Sequence, residues 1–103
     1  MLAHNVYFTL HDPSEAAREA LVAACKTYLV KHLGVVFFAC GTRQEECQRP
    51  VNVQDFDVAL HVVFDSLASH DAYQDAPLHH QFVNENRAGW KQVRVLDSKV
   101  ESA

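Results

Sequence analysis

Residues 56–82 read F-D-V-A-L-H-V-V-F-D-S-L-A-S-H-D-A-Y-Q-D-A-P-L-H-H-Q-F, and the change of period inside them decides the fold class. Phe56, Val58, Leu60, Val62 and Phe64 share one face; Asp57, Ala59, His61, Val63 and Asp65 share the other. A period of two with β-branched and aromatic content predicts a strand. Ser66 is placed to cap a short helix running to about Gln74. Pro77 breaks that helix and suits the first position of a second one over 77–88. On this second piece His79, Phe82, Val83 and Asn86 fall on one face.

The same two periods recur toward the N-terminus. Residues 2–10 alternate, with His4, Val6, Phe8 and Leu10 on one side and Ala3, Asn5, Tyr7 and Thr9 on the other. Asp12 is expected to cap the next helix, with Pro13 at its first position and Glu15 completing a D-x-x-E capping box. Leu21, Ala24, Cys25, Tyr28, Leu29 and His32 follow at helical spacing, and Gly34 stops the helix. Val35 to Cys40 is short and apolar, the pattern of a strand buried on both faces. Residues 41–55 carry Gly41, Pro50 and Asn52 and predict a long exposed connection. Gly89 precedes a last strand over 91–97, around Val93, Val95 and Leu96.

The order β-α-β-β-α-β is the ferredoxin-like α+β pattern, a four-stranded antiparallel sheet with its helices on one face. One domain over 2–97 and a tail over 98–103 are expected. The other sheet face then carries Ala3, Asn5, Tyr7, Thr9, Ala59, His61 and Val63 with no helix over it. A face of that character predicts a partner. A second copy is the simplest one, giving a homodimer joined sheet to sheet.

Composition agrees with a single soluble domain. The 103 residues are 49% hydrophobic and 21% charged, with only 3 Gly and 3 Pro, which excludes low-complexity and collagenous chains. The longest apolar run, Val35 to Cys40, is far short of the roughly 18 residues of a transmembrane helix, so no membrane partner is expected. A net charge of −4 without a basic stripe argues against nucleic acid. Protonating all seven His would carry that charge to +3. Cys25, Cys40 and Cys47 are odd in number and lack CxxC spacing, which predicts free thiols in a reducing compartment. The first residues make a poor signal peptide, and the cytoplasm is the expected location.

Residues 64–82 also resemble the stress-responsive A/B-barrel (Dabb) family. In that family a strand ending F-[DE]-S leads into a short helix bearing a Tyr, then an H-P-x-H turn and an aromatic. His4 on an alternating first strand fits, as does the last strand running into Val95-Leu96-Asp97. The resemblance spans roughly residues 2–97 and implies a dimeric α/β barrel. A plant branch, olivetolic acid cyclase, is similar; its aldol chemistry uses a Tyr and a His in a cavity between helices and sheet. The motif places these on Tyr73 and His79, with a supporting His on His4. The chain departs from the pattern at Ala76, where the first His of H-P-x-H would stand, and at Val58, where the cyclase carries a further pocket His.

Chemically, a neutral imidazole near its operating pH can remove a proton beside a carbonyl, and a phenol can donate to the resulting enolate oxygen. His79, Tyr73 and His4 are thus the candidate catalytic residues: base, hydrogen-bond donor and orienting group. The alternative reading is packing, with His79 bonded to a backbone carbonyl and Tyr73 a core aromatic. His4 then orients His79 by a hydrogen bond or only closes a strand end. His61 and Asp57 lie on one face and allow an ion pair. Adjacent helical side chains diverge by about 100°, so His79-His80 is not read as a metal site, and no metal or cofactor is expected. Three functions are compatible with the whole: a small-molecule pocket with cofactor-free proton transfer, a non-catalytic stress oligomer, and a cofactor-independent monooxygenase.

Overall fold

The computed structural model describes residues 1–103. The chain runs β1 (Leu2–Leu10), α1 (Glu15–Tyr28), β2 (Val35–Thr42), β3 (Val58–Phe64), α2 (Leu67–Asp75), α3 (Pro77–Asn86), a 3-10 turn (Arg87–Gly89) and β4 (Trp90–Lys99). The strands form one antiparallel sheet in the order β2-β3-β1-β4. This is the ferredoxin-like α+β fold that the period changes predict, with the second helix split at Pro77.

Alternation holds strictly in the two central strands. Val6, Phe8 and Leu10 of β1, with Val58, Leu60, Val62 and Phe64 of β3, are buried beneath the helices. Leu21, Cys25, Leu29, Tyr73 and Phe82 close the core from the helix side. His4 is the sole polar residue among the buried positions, at 3% exposure.

Three local expectations are corrected. The cap of α1 is Ser14, whose Oγ accepts from the Ala17 N–H; Asp12 instead accepts the Ser14 N–H in a turn one step earlier. Pro13 therefore precedes the helix. The helix ends at Tyr28, six residues before Gly34, with Leu29 as its C-cap donating its N–H to the Cys25 carbonyl at 2.9 Å; Leu29 remains buried, so the apolar period outlasts the helix itself.

The second correction concerns β2, which is not buried on both faces. It is an edge strand, and Val36 and Phe37 are each 55% exposed. An apolar run by itself does not distinguish a face turned to the core from one turned to a partner. Finally, β4 continues to Lys99, which pairs with Leu2, so the last strand is longer at both ends than 91–97.

The connection between β2 and β3 is exposed and polar as expected, but it is anchored at one corner of the uncovered face. Phe56 stands edge-on to Tyr7 with ring centroids 5.0 Å apart. Arg94 Nη2 donates to Asp55 Oδ1 at 2.7 Å, and the Thr9 hydroxyl donates to the Asp55 carbonyl.

Candidate functional site

Pro77 makes the site possible. Ala76 is extended (φ −65°, ψ 141°), so the chain turns between α2 and α3 and brings the two helices to one end of the sheet. Tyr73, in the last turn of α2, and His79, in the first turn of α3, consequently meet. Their rings stand edge to face, centroids 4.8 Å apart and planes at 71°.

His4 reaches the same place from β1. Its ring lies 5.9 Å from that of Tyr73, and the sheet register sets it opposite Asp97 of β4. His4 Nδ1–H donates to Asp97 Oδ1 at 2.6 Å. Its hydrogen bond therefore goes to Asp97, and of the two sequence-based alternatives for His4 the hydrogen bond to His79 is not the one formed. Asp97 is a member of this constellation that sequence reasoning missed as a partner, because only the β1–β4 register makes the two neighbours.

These side chains wall a cavity of about 140 Å³ between helices and sheet. Its lining is mainly apolar: Val6, Phe8, Leu60, Phe82 and Val95 contribute, with His4, Tyr73 and His79 as the titratable groups. Trp90 closes one side, packed on Phe8 at 4.9 Å and Phe82 at 5.7 Å between centroids. Larger hollows of about 430 and 460 Å³ lie elsewhere on the surface, and neither touches Tyr73 or His79.

Burial sets the protonation states. Desolvation, reinforced by His4 and the other neighbouring imidazoles, lowers the His79 pKa to about 4. His79 is thus a neutral ring at pH 7, but a weaker base than an imidazole titrating near its operating pH. Desolvation also lowers His4, against the opposing pull of Asp97. Burial pushes the Tyr73 phenol up, so it stays protonated and able to donate. The third imidazole near Tyr73 is His32, with ring centroids 5.0 Å apart, and its Nε2–H donates to the Tyr28 carbonyl.

A pH dependence follows. Between pH 6.5, where a free imidazole titrates, and about 4, the unfolded chain binds more protons at His79 than the folded one. This contribution to stability is present above pH 6.5 and is lost as the pH falls through that window. Denaturant midpoints should decline from pH 7.5 to 4.5, and His79→Gln should flatten part of the decline. An identical slope in the variant would contradict neutral burial of His79.

The remaining candidates separate cleanly. His61 Nδ1–H donates to Asn5 Oδ1 at 2.7 Å, and Asp57 Oδ2 accepts from the Leu10 N–H at 2.8 Å, so the considered His61–Asp57 ion pair is not formed. All three cysteines are free. Cys25 is fully buried and its thiol is pushed up to about 12, while Cys40 is raised as well by burial, so neither is an activated nucleophile.

Comparison with known proteins bears on the fold. The family model described as the stress responsive A/B barrel domain matches residues 2–100. No curated protein matches by sequence. A Dabb family protein from Mesorhizobium loti with a ferredoxin-like fold superposes with a TM-score of 0.80 at 21% identity, covering 98% of this chain and 97% of that one. A dimeric ferredoxin-like protein of unknown function from Thermobifida fusca gives 0.79 at 16% identity, covering 96% and 90%. The hydroxynitrile lyase of Passiflora edulis gives 0.76 at 16% identity, covering 99% and 94%. At these identities the likeness is one of fold.

Proposed function

The chain belongs to the stress responsive A/B barrel domain family, and from that premise we propose that it binds a small carbonyl compound between helices and sheet and moves a proton on it without a cofactor. One observation carries this reading: an imidazole held neutral and a phenol held protonated stand in edge-to-face contact on the wall of one apolar cavity. His79 accepts the proton. Tyr73 donates a hydrogen bond to the oxygen on which negative charge develops. Because burial makes His79 a weak base, the proton it takes must be acidified by the carbonyl, which is what the Tyr73 hydrogen bond does.

His4 is a wall and positioning residue, its ring fixed by Asp97. The volume narrows the ligand. A cavity of about 140 Å³ is close to the ~150 Å³ that holds benzene and far below the ~300–1,000 Å³ of drug-sized sites. The occurrence of a hydroxynitrile lyase on the same fold supports lyase-type chemistry as compatible with the scaffold.

Tyr73→Phe keeps the ring that packs against Phe64 and His79 and deletes only the hydroxyl. It is expected to leave the thermal midpoint within a few degrees while lowering turnover or ligand affinity by ~10-fold or more. Unchanged binding and turnover in this variant would remove Tyr73 from the site.

The uncovered sheet face supports a homodimer. Phe37 and Leu96 point to that face and are 55% and 54% exposed, and a neighbour of the same fold is described as dimeric. Native mass spectrometry should show two chains at micromolar concentration, and Phe37→Asp with Leu96→Asp should yield monomer. A wild-type monomer under the same conditions would contradict the sheet-to-sheet reading. The free thiols support a reducing compartment such as the cytoplasm, and no helix is long and apolar enough to cross a membrane.

A further inference from the structure

His70 does not belong to the constellation above, yet it is the histidine whose surroundings are least complete. It sits on α2, its ring 5.0 Å from that of His4 and 5.6 Å from Phe64. Nδ1 lies 3.0 Å from Asp71 Oδ1, and a carboxylate there takes the proton-bearing nitrogen as its donor. In the neutral ring this fixes the tautomer and leaves Nε2 as a bare lone pair. That Nε2 has no accessible surface and no hydrogen-bond partner. A buried polar atom left in this state requires an explanation, and an ion is one.

The position of His70 supplies it. One ring nitrogen of His70, one of His4 and a carboxylate oxygen of Asp97 lie within 4.8 Å of one another. We propose that His4, His70 and Asp97 form a three-ligand site for a borderline divalent cation of the Zn²⁺ type, with Asp71 holding the His70 ring from behind.

The donor set selects the ion. Two imidazoles and one carboxylate suit Zn²⁺ or Co²⁺, whereas Mg²⁺ and Ca²⁺ demand oxygen ligands. A carboxylate on the far nitrogen of a metal-bound histidine is the usual orienting arrangement. Zinc ligands stand ~2.0–2.2 Å from the ion and so ~3.3–3.6 Å from one another; His4 Nδ1 and Asp97 Oδ1, now hydrogen-bonded at 2.6 Å, must part by a little under ~1 Å as the His4 proton shifts to Nε2, while the three donors as a group, within 4.8 Å, draw in around the ion. Asp97 can supply that movement, since its side chain is 42% exposed at the end of edge strand β4. The hollow outside Asp97, bordered by Ser66 and Ser98, gives access from solvent and leaves the fourth position to water. The site would touch the cavity only through His4, so it stands or falls independently of the Tyr73–His79 pair.

The test uses the whole chain and Co²⁺ as the probe, followed by visible absorption and by displacement with Zn²⁺. One ion per chain is expected in the wild type. His70→Ala and Asp97→Asn should each weaken binding by ~100-fold or more, beyond the roughly 10–100-fold that loss of an outer partner costs. His80→Ala and Cys47→Ser should leave it unchanged. Absence of saturable binding, or binding lost with His80 or Cys47 and kept without His70, would overturn the proposal. If His70→Ala does not fold, ring-nitrogen NMR of the unmutated protein decides: the His70 Nε2 resonance must move with the first equivalent of Zn²⁺, and an unmoved resonance rejects the site.

Discussion

His79→Ala is expected to abolish ligand turnover by ~100-fold or more while leaving the fold and the dimer intact. The expectation rests on how His79 is held. It is only partly buried, it makes no hydrogen bond to the protein, and its main neighbours are the Tyr73 ring and the cavity. Truncating such a side chain enlarges a space that already exists and breaks no polar network, so the stability cost should be ~1 kcal/mol or less. A packing histidine predicts the opposite pattern, with a cost of ~1–3 kcal/mol and unchanged binding. The variant thus separates proton transfer from a purely structural assembly: a non-catalytic oligomer loses nothing when His79 goes.

The second large effect is expected outside the cavity, at the N-terminal end of α2. Gly34 adopts φ +90°, the single positive-φ position in the chain. A Cβ there would fall on Ser69 Oγ and Cβ and come within 2.9 Å of Asp65 Oδ1. These atoms are not free to retreat. Ser69 Oγ donates to Asp65 Oδ1 at 2.6 Å, Ser66 Oγ accepts the Ser69 N–H as the cap of α2, and the Asp65 N–H donates to the Gly34 carbonyl at 2.8 Å. Gly34→Ala therefore combines backbone strain with displacement of a helix cap. It should cost ~2–5 kcal/mol, or on the order of 10 °C or more in Tm for a domain of this size. Gly41→Ala is the control: a Cβ there meets nothing within 4 Å, and the change should stay within ~1 kcal/mol. Equal midpoints for the two variants would refute the close-approach argument.

Gly34 also shows what the sequence makes legible. The helical period is expected to run to Gly34, but the helix ends at Tyr28 and Gly34 closes the turn before β2; the α+β order still follows from such changes of period together with the alternation of residues 2–10 and 56–65. What the period does not carry is the identity of the neighbour. The apolar run of β2 suggested a strand buried on both faces, and the sheet order puts it at an edge with Phe37 exposed. Asp12 and Ser14 are both good caps, and only the geometry shows that Asp12 receives the Ser14 N–H while Ser14 caps α1.

The site divides along the same line. Tyr73 and His79 were named by the family motif, and the helix break at Pro77 between them allows the flanking turns to share one space, where their rings stand 4.8 Å apart. Asp97 and His70 were not. Their approach to His4 depends on the β1–β4 register and on how α2 lies across the sheet, neither of which is a property of local spacing. The low basicity of His79 was equally invisible, since it comes first from burial and then from the imidazoles of His4 on β1, the adjacent His80, His32 in the connection after α1 and His70 on α2.

The most direct test of the central claim is NMR of the His79 ring nitrogens and the Tyr73 ring while small ketones and aldehydes of about five to eight non-hydrogen atoms, the size of benzene, are titrated in. The account predicts saturable shifts at both residues for at least one member of that series, lost in His79→Ala and altered in Tyr73→Phe. Signals that stay unmoved across the series, or shifts that persist undiminished without His79, would contradict it.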